Sequence, residues 1–220
     1  MLEVNELSFA YDDEKPVLDH VSFKLESGMI YYLLGMNGAG KTTLFNCLSG
    51  FLKSNLSLEQ EFLNDKLLYI QDGMYFYKNL TGLEFTELIL SLKDKQLDMD
   101  QFDQLLEKLR MTNYKYERIS IYSLGTKQKL VLIIGILLDY EYILMDEPFA
   151  AIDFITAEVI TDVLKGLKKT GKTIVVSTHQ LDVAQEHADE VLFLNKGQIH
   201  QVTNRFKTPR ELKSYLRVYI

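Results

Sequence analysis

The chain has 220 residues, of which 47% are hydrophobic, with only 3 prolines and a formal net charge of −7. This composition suffices for one well-buried core with a smaller lobe attached, and it leaves little room for long linkers. The negative charge argues against a dedicated nucleic-acid binder, which needs clustered Lys and Arg.

The sequence shows no targeting or membrane-spanning segment. Residues 1–6 lack a basic region followed by an apolar stretch, so no signal peptide is predicted. The longest strongly apolar run, residues 130–138, is far shorter than the roughly 20 residues that a membrane span requires. The single cysteine, Cys47, cannot form an internal disulfide and is predicted to pack in a helix. These features predict a cytoplasmic chain.

The first elements are a β-hairpin and a buried strand. Apolar residues recur over residues 2–9 and 17–25, on either side of a polar turn at residues 12–16 that includes Asp13 and Glu14. Residues 29–34 form a short apolar run that ends at Gly35, as a buried strand does.

The segment that follows is a phosphate-binding loop. Residues 35–42 read GMNGAGKT, which fits G-x-x-x-x-G-K-[ST] at every fixed position. Glycines let consecutive N–H groups converge on phosphate oxygens, while Lys41 can reach the β- and γ-phosphates and Thr42 can hold Mg²⁺. A helix over residues 43–49, closed by Gly50, directs its positive dipole at the same anion. The alternative, a glycine-rich turn that merely leads into a helix, leaves this match unexplained.

The middle of the chain alternates between one strand and a helical region. Residues 67–70 are an apolar strand that stops at Gln71, and residues 54–66 give no clear pattern. From Thr81 to about Leu138 the pattern is helical. One helical stripe comprises Leu83, Phe85, Leu88, Ile89 and Leu92, and a second comprises Phe102, Leu105, Leu106 and Leu109.

Strands return in the last third. Residues 142–145 end on Asp146, a helix is predicted near residues 155–169, and the strand at residues 173–177 ends beside His179. Residues 191–199 predict a final hairpin, and Thr208, Pro209 and Glu211 predict a capping box for a last helix. The fold class is therefore α/β with a mainly parallel sheet, a small N-terminal antiparallel lobe and a helical subdomain inserted at about residues 72–138.

Two carboxylates extend the phosphate-loop motif. Asp146 and Glu147 follow an apolar strand that we expect to lie next to the phosphate-loop strand. One carboxylate can hold Mg²⁺, and its neighbour can polarise an attacking water. An acidic pair at a strand end is weak on its own, but it gains weight from the upstream phosphate loop.

In this order the motifs resemble those of the ATP-binding subunit of an ABC transporter, over essentially all 220 residues. Tyr11 matches the family's adenine-stacking aromatic, and Gln71 matches a glutamine that touches Mg²⁺ and moves with the transport partner. Residues 122–128 resemble the signature segment, and residues 146–148 match the magnesium aspartate and catalytic glutamate. Residues 151–153 (Ala151, Ile152, Asp153) resemble the loop that crosses to the partner, and His179 matches the switch histidine.

The resemblance implies a P-loop NTPase core forming a single domain over residues 1–220, with these roles. The catalytic set would be Lys41, Gln71, Glu147 and His179, and the Mg²⁺ ligands would be Thr42, Gln71 and Asp146. ATP would be held by Tyr11, Gly35, Met36, Asn37, Gly38, Ala39, Gly40, Lys41, Thr42 and Thr43, and from the opposing subunit by Ser123, Gly125 and Gln128.

The chain departs from the family pattern twice. Leu124 replaces the first glycine of the signature and Thr126 stands where glutamine is usual, although Ser123 and Gly125 keep the hydroxyl and the close backbone approach. A helix is expected from about Thr126. Fewer residues than usual separate Lys41 from Gln71, which predicts a trimmed antiparallel lobe.

The implied function is ATP hydrolysis that powers transport by a separate transmembrane permease. A second ATPase subunit, identical or paralogous, would complete the nucleotide site, and nucleic acid is not expected as a partner. The chain would sit peripherally on the inner face of the cell membrane, with the aromatic cluster at residues 74–77 (Met74, Tyr75, Phe76, Tyr77) as the permease contact. The alternative is that these four residues pack inside the helical subdomain.

Export is the transport direction that the signature variant suggests. Two other classes remain open. One is an ABC-type ATPase that acts in a cytosolic assembly or repair process. The other is an unrelated P-loop kinase or GTPase, against which the ordered Gln71, signature segment and His179 argue.

Overall fold

The computed structural model describes residues 1–12, 15–56, 58–71, 75–150 and 152–220. Its strands are β1 (Leu2–Phe9), β2 (Leu18–Leu25), β3 (Ile30–Leu34), β4 (Leu67–Ile70), β5 (Tyr142–Met145), β6 (Thr173–Thr178), β7 (Glu190–Asn195) and β8 (Gln198–Thr203). Its helices are α1 (Lys41–Leu48), α2 (Gln60–Asp65), α3 (Gly82–Ser91), α4 (Met99–Lys108), α5 (Leu124–Leu137), α6 (Phe154–Lys169), α7 (Leu181–His187) and α8 (Pro209–Leu216). The expectations for Asp13, Glu14, Met74, Ala151 and the start of the insertion at residue 72 lie outside the described residues.

The chain divides into two compact units. Unit 1 comprises Met1–Gln71, Glu141–Pro148 and Lys165–Ile220, and unit 2 comprises Asp72–Tyr140 and Phe149–Leu164. Most of unit 2 is the segment predicted as a helical insertion, but unit 2 also includes the first part of α6. That part packs closely on α5, since a Cβ at Gly125 would lie 3.0 Å from Thr156 Cγ2. Sequence patterns along one helix do not reveal such a partner.

Unit 1 contains a six-stranded sheet in the order β4-β5-β6-β3-β7-β8. All neighbouring pairs are parallel except β7 and β8, which form an antiparallel hairpin. The expectation that the strand before Asp146 lies next to the phosphate-loop strand is wrong, because β6 lies between β5 and β3. Apolar runs of similar length carry no signal for which neighbour each one selects. Both strands still end at the same edge of the sheet, so their following residues can meet.

The central strand explains the buried apolar run that the sequence shows. β3 pairs on one side with β6 and on the other with β7, and all five of its residues are buried. Strands covered on both faces read as continuous apolar runs rather than as alternating ones. This fully buried strand ends at Leu34, immediately before the phosphate loop.

The N-terminal lobe of unit 1 is a two-stranded antiparallel sheet of β1 and β2. The pairing shifts register between Val4 and Leu7, where Glu6 has a positive φ of 52°. The Asn55 side chain covers this irregular edge: its Nδ2 donates to Glu6 O at 2.7 Å, and its Oδ1 accepts from Ser8 N at 2.8 Å. Residues 54–66, which gave no clear sequence pattern, therefore supply this contact and α2.

Three helix details differ from the sequence expectations. Leu92, at the C-cap of α3, is 71% exposed although it was assigned to the apolar stripe, and the buried side of that helix includes Phe85, Thr86 and Leu90. The predicted capping box of α8 is only half formed, since Thr208 Oγ1 accepts from Glu211 N while Glu211 Oε2 accepts from Lys207 N. α5 begins at Leu124 rather than near Thr126, because the Ser123 side chain caps it.

Candidate active site

A cavity of about 340 Å³ lies at the edge of the unit 1 sheet where β3 and β5 end. It is lined by Tyr11, Val17, Asn37, Gly38, Gly40, Lys41, Thr42, Thr43, Asp146 and Glu147. The structure therefore gathers most of the predicted nucleotide-binding residues of the phosphate loop with the two predicted carboxylates. Gly35, Met36 and Ala39 belong to the same loop but do not line this cavity.

The loop requires glycine where it turns into α1. Gly40 has a φ of 103°, and a Cβ there would lie 3.0 Å from Val17 Cγ1. This backbone conformation is one that side-chain-bearing residues rarely adopt. No side chain caps the start of α1, so its first N–H groups are available to an anion.

Lys41 is held in the cavity by oxygen atoms. The side chain is 7% exposed, and its Nζ donates to Gly35 O at 2.9 Å and to Met36 O at 3.4 Å. Nζ also lies 3.3 Å from Glu147 Oε1, within ion-pair distance. A buried ammonium group placed in this way can neutralise phosphate charge.

Thr42 and Asp146 form the part of the site that fits a divalent cation. Thr42 Oγ1 donates to Asp146 Oδ2 at 2.7 Å, and Asp146 is buried. Hydroxyl and carboxylate oxygens are the donors that Mg²⁺ prefers, and Mg²⁺ typically takes its remaining ligands from phosphate and water. The residues present therefore fit Mg²⁺. In the part of the chain that the structure describes, no group of three or more His, Cys, Asp or Glu is placed to hold a metal by itself.

Two hydroxyl groups that the sequence analysis did not single out also contact Asp146. Ser177 Oγ donates to Asp146 Oδ1 at 2.5 Å, and Tyr69 Oη makes a longer contact of 3.5 Å with Asp146 Oδ2. Burial and then the charge of Asp146 raise the pKa of the Tyr69 hydroxyl, so it stays protonated. The sequence signal for Ser177 is slight: a hydroxyl residue that follows the apolar run 174–176.

Glu147 connects Lys41 with the predicted switch histidine. His179 Nδ1 lies 3.2 Å from Glu147 Oε2 and 3.4 Å from Oε1. The Glu147 side chain is 21% exposed, so its carboxylate faces both the protein and solvent. The backbone at Glu147 has a φ of 46°, in the left-handed region that residues other than glycine seldom occupy.

Tyr11 and Gln71 have different outcomes. Tyr11 lines the cavity, is 65% exposed, and its hydroxyl lies 3.1 Å from Thr43 Oγ1. Its ring meets Phe9 edge-on, with the centroids 5.0 Å apart. Gln71 directly follows β4 and is half-buried, but its side chain makes no hydrogen bond to any described residue and does not line the cavity.

The signature segment lies in unit 2 at the start of α5. Ser123 Oγ accepts from Thr126 N at 3.1 Å and lies 2.8 Å from Thr126 Oγ1. The substituted Thr126 is thus part of the cap. Gln128 has a buried amide oxygen, Oε1, with no hydrogen-bond partner among the described residues.

The aromatic cluster predicted as a permease contact is split by burial within unit 2. Tyr75 is 80% exposed and Tyr77 is 53% exposed, and their rings meet edge-on. Phe76 is buried, with its ring 5.5 Å from that of Phe85. The two tyrosines, and not Phe76, are therefore available to a partner.

The family model described as ABC transporter matches residues 18–150. A putative ABC transporter ATP-binding protein, AlbC of Bacillus subtilis, is 32% identical over 92% of this chain and 91% of its own length. The chain belongs to the ABC transporter ATP-binding family. An uncharacterised ABC transporter ATP-binding protein of Methanocaldococcus jannaschii is 34% identical, over 85% of this chain and 71% of its own length.

Solved structures agree with this assignment. The structure titled as the ATP-binding subunit of an ABC transporter superposes with a TM-score of 0.83, at 25% identity and 98% coverage of both chains. The chain is thus an ABC ATPase with the P-loop core and small antiparallel lobe expected from its sequence. Proteins of this family bind ATP, generally with Mg²⁺. None of the described helices is long and apolar enough to cross a bilayer.

Proposed function

We propose that this chain hydrolyses ATP in order to drive a substrate through a separate membrane permease, in the direction of export. The observation that supports the catalytic half of the proposal is the cavity itself. There Lys41, Thr42, Asp146 and Glu147 share one space, and His179 contacts Glu147 from the end of β6.

We assign roles to the site residues as follows. The Lys41 ammonium and the loop N–H groups neutralise the β- and γ-phosphates of ATP. Thr42 and Asp146 hold Mg²⁺, which when bound offsets the phosphate charge, and Gln71 is proposed as a further ligand. Glu147 orients and polarises the attacking water, and His179 positions the Glu147 carboxylate and contacts the γ-phosphate. Tyr11 provides an exposed ring on which adenine stacks.

A second ATPase subunit would close the site. We assign Ser123, Gly125 and Gln128 to the nucleotide of the opposing subunit, so that ATP bridges two chains and hydrolysis separates them. The exposed apolar side chains of Phe154 and Ile155, next to Asp153, support a contact surface at this end of unit 2. A solved cassette with a TM-score of 0.81 at 22% identity is titled as dimeric.

The permease would contact Tyr75 and Tyr77 and would hold the chain on the cytoplasmic face of the membrane. Two exposed, mutually packed aromatic rings suit the apolar side of a short helix from another protein. The direction of transport rests on the Ser-Leu-Gly form of the signature. The names of relatives do not favour export, because one at 30% identity is a phosphonates import ATP-binding protein of Oceanobacillus iheyensis.

The catalytic half is tested by Glu147→Gln. This change removes the charge while keeping the shape, so we expect ATP affinity within about threefold of wild type and turnover at least about 100-fold lower. Size-exclusion chromatography with MgATP then detects a trapped dimer. An unaltered hydrolysis rate would remove Glu147 from the mechanism.

The transport half is tested by affinity purification from native membranes. We expect the wild-type chain to retain a multi-spanning membrane protein, and Tyr75→Glu with Tyr77→Glu to lose it while basal ATPase activity persists. Tyr116→Glu is the matched control, since Tyr116 is 72% exposed elsewhere in unit 2. Recovery of an entirely soluble complex would instead favour the cytosolic assembly or repair function.

A further inference from the structure

Ser177 is a fully buried hydroxyl residue at the end of β6, between the two carboxylate residues of the site. We infer that Ser177 is a positioning residue for ATP hydrolysis, which sets the Asp146 carboxylate and the Glu147 backbone relative to each other through one hydroxyl group. This inference rests on the roles proposed above for Asp146 and Glu147. Ser177 does not line the cavity, so it would act only through its two neighbours.

The hydrogen bonds of Ser177 use both capacities of its hydroxyl. Oγ donates to Asp146 Oδ1 at 2.5 Å and accepts from Glu147 N at 2.9 Å. A hydroxyl carries a single proton, and Ser177 donates that proton to Asp146. In the contact with the Glu147 amide, the N–H group is therefore the donor and Ser177 Oγ is the acceptor. The side chain is 0% exposed, which leaves no solvent to replace either bond. Loss of the hydroxyl would therefore release two groups at once.

The two carboxylate oxygens of Asp146 contact different residues. Ser177 occupies Oδ1, whereas Oδ2 is the atom that contacts Thr42 Oγ1, on the side of the phosphate loop. Hydrogen-bond partners of a metal-binding carboxylate fix its orientation and commonly change metal affinity or activity by 10- to 100-fold when they are removed. Ser177 thus holds the carboxylate with Oδ2 on the side of Thr42, where it would be available to Mg²⁺.

The contact with Glu147 stabilises an unusual backbone. Glu147 has a φ of 46°, and such conformations persist at functional sites only where the surroundings hold them. Its amide N–H is anchored by Ser177, while its carboxylate reaches Lys41 Nζ at 3.3 Å and His179 Nδ1 at 3.2 Å. Without the anchor the peptide can relax, and the carboxylate would then leave the position from which it orients water.

The test compares two hydroxyl deletions in the same strand. Ser177→Ala removes the hydroxyl between the carboxylate residues. Thr173→Val removes an equally buried hydroxyl at the other end of β6, where Thr173 Oγ1 contacts Gly28 N and Glu26 O, each at 3.3 Å. Amide hydrogen exchange of the nucleotide-free chain, ATPase kinetics and the Mg²⁺ concentration for half-maximal nucleotide binding are measured for both. Ser177→Thr, which retains a hydroxyl, provides the rescue.

For Ser177→Ala we expect exchange at the Glu147 amide to rise by about tenfold or more, and kcat to fall by about 10- to 100-fold. The KM for ATP should stay within about threefold, while the Mg²⁺ requirement rises by about tenfold. Thr173→Val should lower Tm without these changes, and Ser177→Thr should recover part of kcat.

The inference is overturned if Ser177→Ala lowers Tm as Thr173→Val does but leaves Glu147 exchange, kcat and the Mg²⁺ requirement within about twofold of wild type. If Ser177→Ala is too unstable at the assay temperature, Ser177→Cys, which keeps a side chain of similar shape but donates weakly, is measured in its place with the same expectations. Full activity of Glu147→Gln would refute the proposed roles themselves, whereas an inactive Glu147→Gln beside an active Ser177→Ala would refute only this inference.

Discussion

The two helices predicted to face nucleotide phosphate begin in different ways. α1 follows Gly40, whose φ of 103° turns the chain without any side-chain cap. α5 follows Ser123, whose Oγ already accepts a hydrogen bond from Thr126 N at 3.1 Å. The first turn of α1 therefore leaves its N–H groups to a ligand, whereas in the first turn of α5 one N–H group, that of Thr126, is already bonded to the serine side chain.

Each of these two helices has one buried lysine, and the two lysines differ in their surroundings. Lys41 in α1 and Lys129 in α5 are almost equally buried, at 7% and 8% exposed. Lys41 Nζ has two carbonyl oxygens and the Glu147 carboxylate within 3.4 Å, whereas Lys129 Nζ makes no hydrogen bond or ion pair with any described residue, and Asp153 attracts it only at longer range. The two lysines are equally buried but differ in role. The Lys41 ammonium belongs to the nucleotide site, whereas burial of the Lys129 ammonium destabilises the folded chain.

The largest expected effect comes from removing the lysine of the built site. Lys41→Met keeps the length of the side chain but removes the charge that would neutralise phosphate, so we expect turnover to fall by at least about 100-fold. Nucleotide binding is measured by fluorescence titration and hydrolysis by phosphate release. Lys66→Met is the control, because Lys66 is exposed, lies outside the cavity and forms an ion pair with Glu141 at 3.4 Å. Wild-type turnover in Lys41→Met would show that Lys41 has no role in hydrolysis and would contradict the difference inferred between the two lysines.

A smaller effect separates the two roles of Ser123. Ser123→Ala removes both the helix cap and the proposed phosphate contact, so we expect about 1 kcal/mol less stability and slower hydrolysis. Ser123→Asp caps equally well but places a negative charge towards phosphate, so stability should recover while hydrolysis should not. Urea unfolding and steady-state ATPase assays measure the two quantities. Wild-type hydrolysis in Ser123→Asp would leave Ser123 with the structural role alone.

The sequence predicted unit 1 better than it predicted contacts between distant segments. Residues 29–42 predict both the buried strand and the loop, because the apolar run and the glycines are sequence patterns that act on the local backbone. Local patterns do not predict the order of strands in the sheet, and in the structure β6 lies between β5 and β3. Ser177 was missed for the same reason: its importance depends on Asp146 and Glu147, which reach it from another strand.

Burial on the helices of unit 2 was predicted less well. The apolar stripe assigned to α3 included Leu92, which is exposed, and it omitted the buried Thr86. The aromatic run at residues 75–77 likewise divides into two exposed rings and one buried ring. Which side chains of a helix are buried depends on what packs against that helix, and the spacing of apolar residues does not show this.

The smallest expected effect is on stability and concerns Lys129. Burial lowers the pKa of the Lys129 ammonium in the folded chain, so the unfolded chain binds that proton more tightly. Stability therefore rises with pH between the folded and unfolded pKa values, and the protonated lysine destabilises the fold at all lower pH values. We expect Lys129→Met to increase the free energy of unfolding by about 0.5–1 kcal/mol at pH 7. In urea titrations this gain should shrink as the pH approaches 10.5, the value for an unperturbed lysine. Lys108→Met, at an exposed position in α4, should give no such gain, and a pH-independent difference for Lys129→Met would mean that its charge carries no penalty.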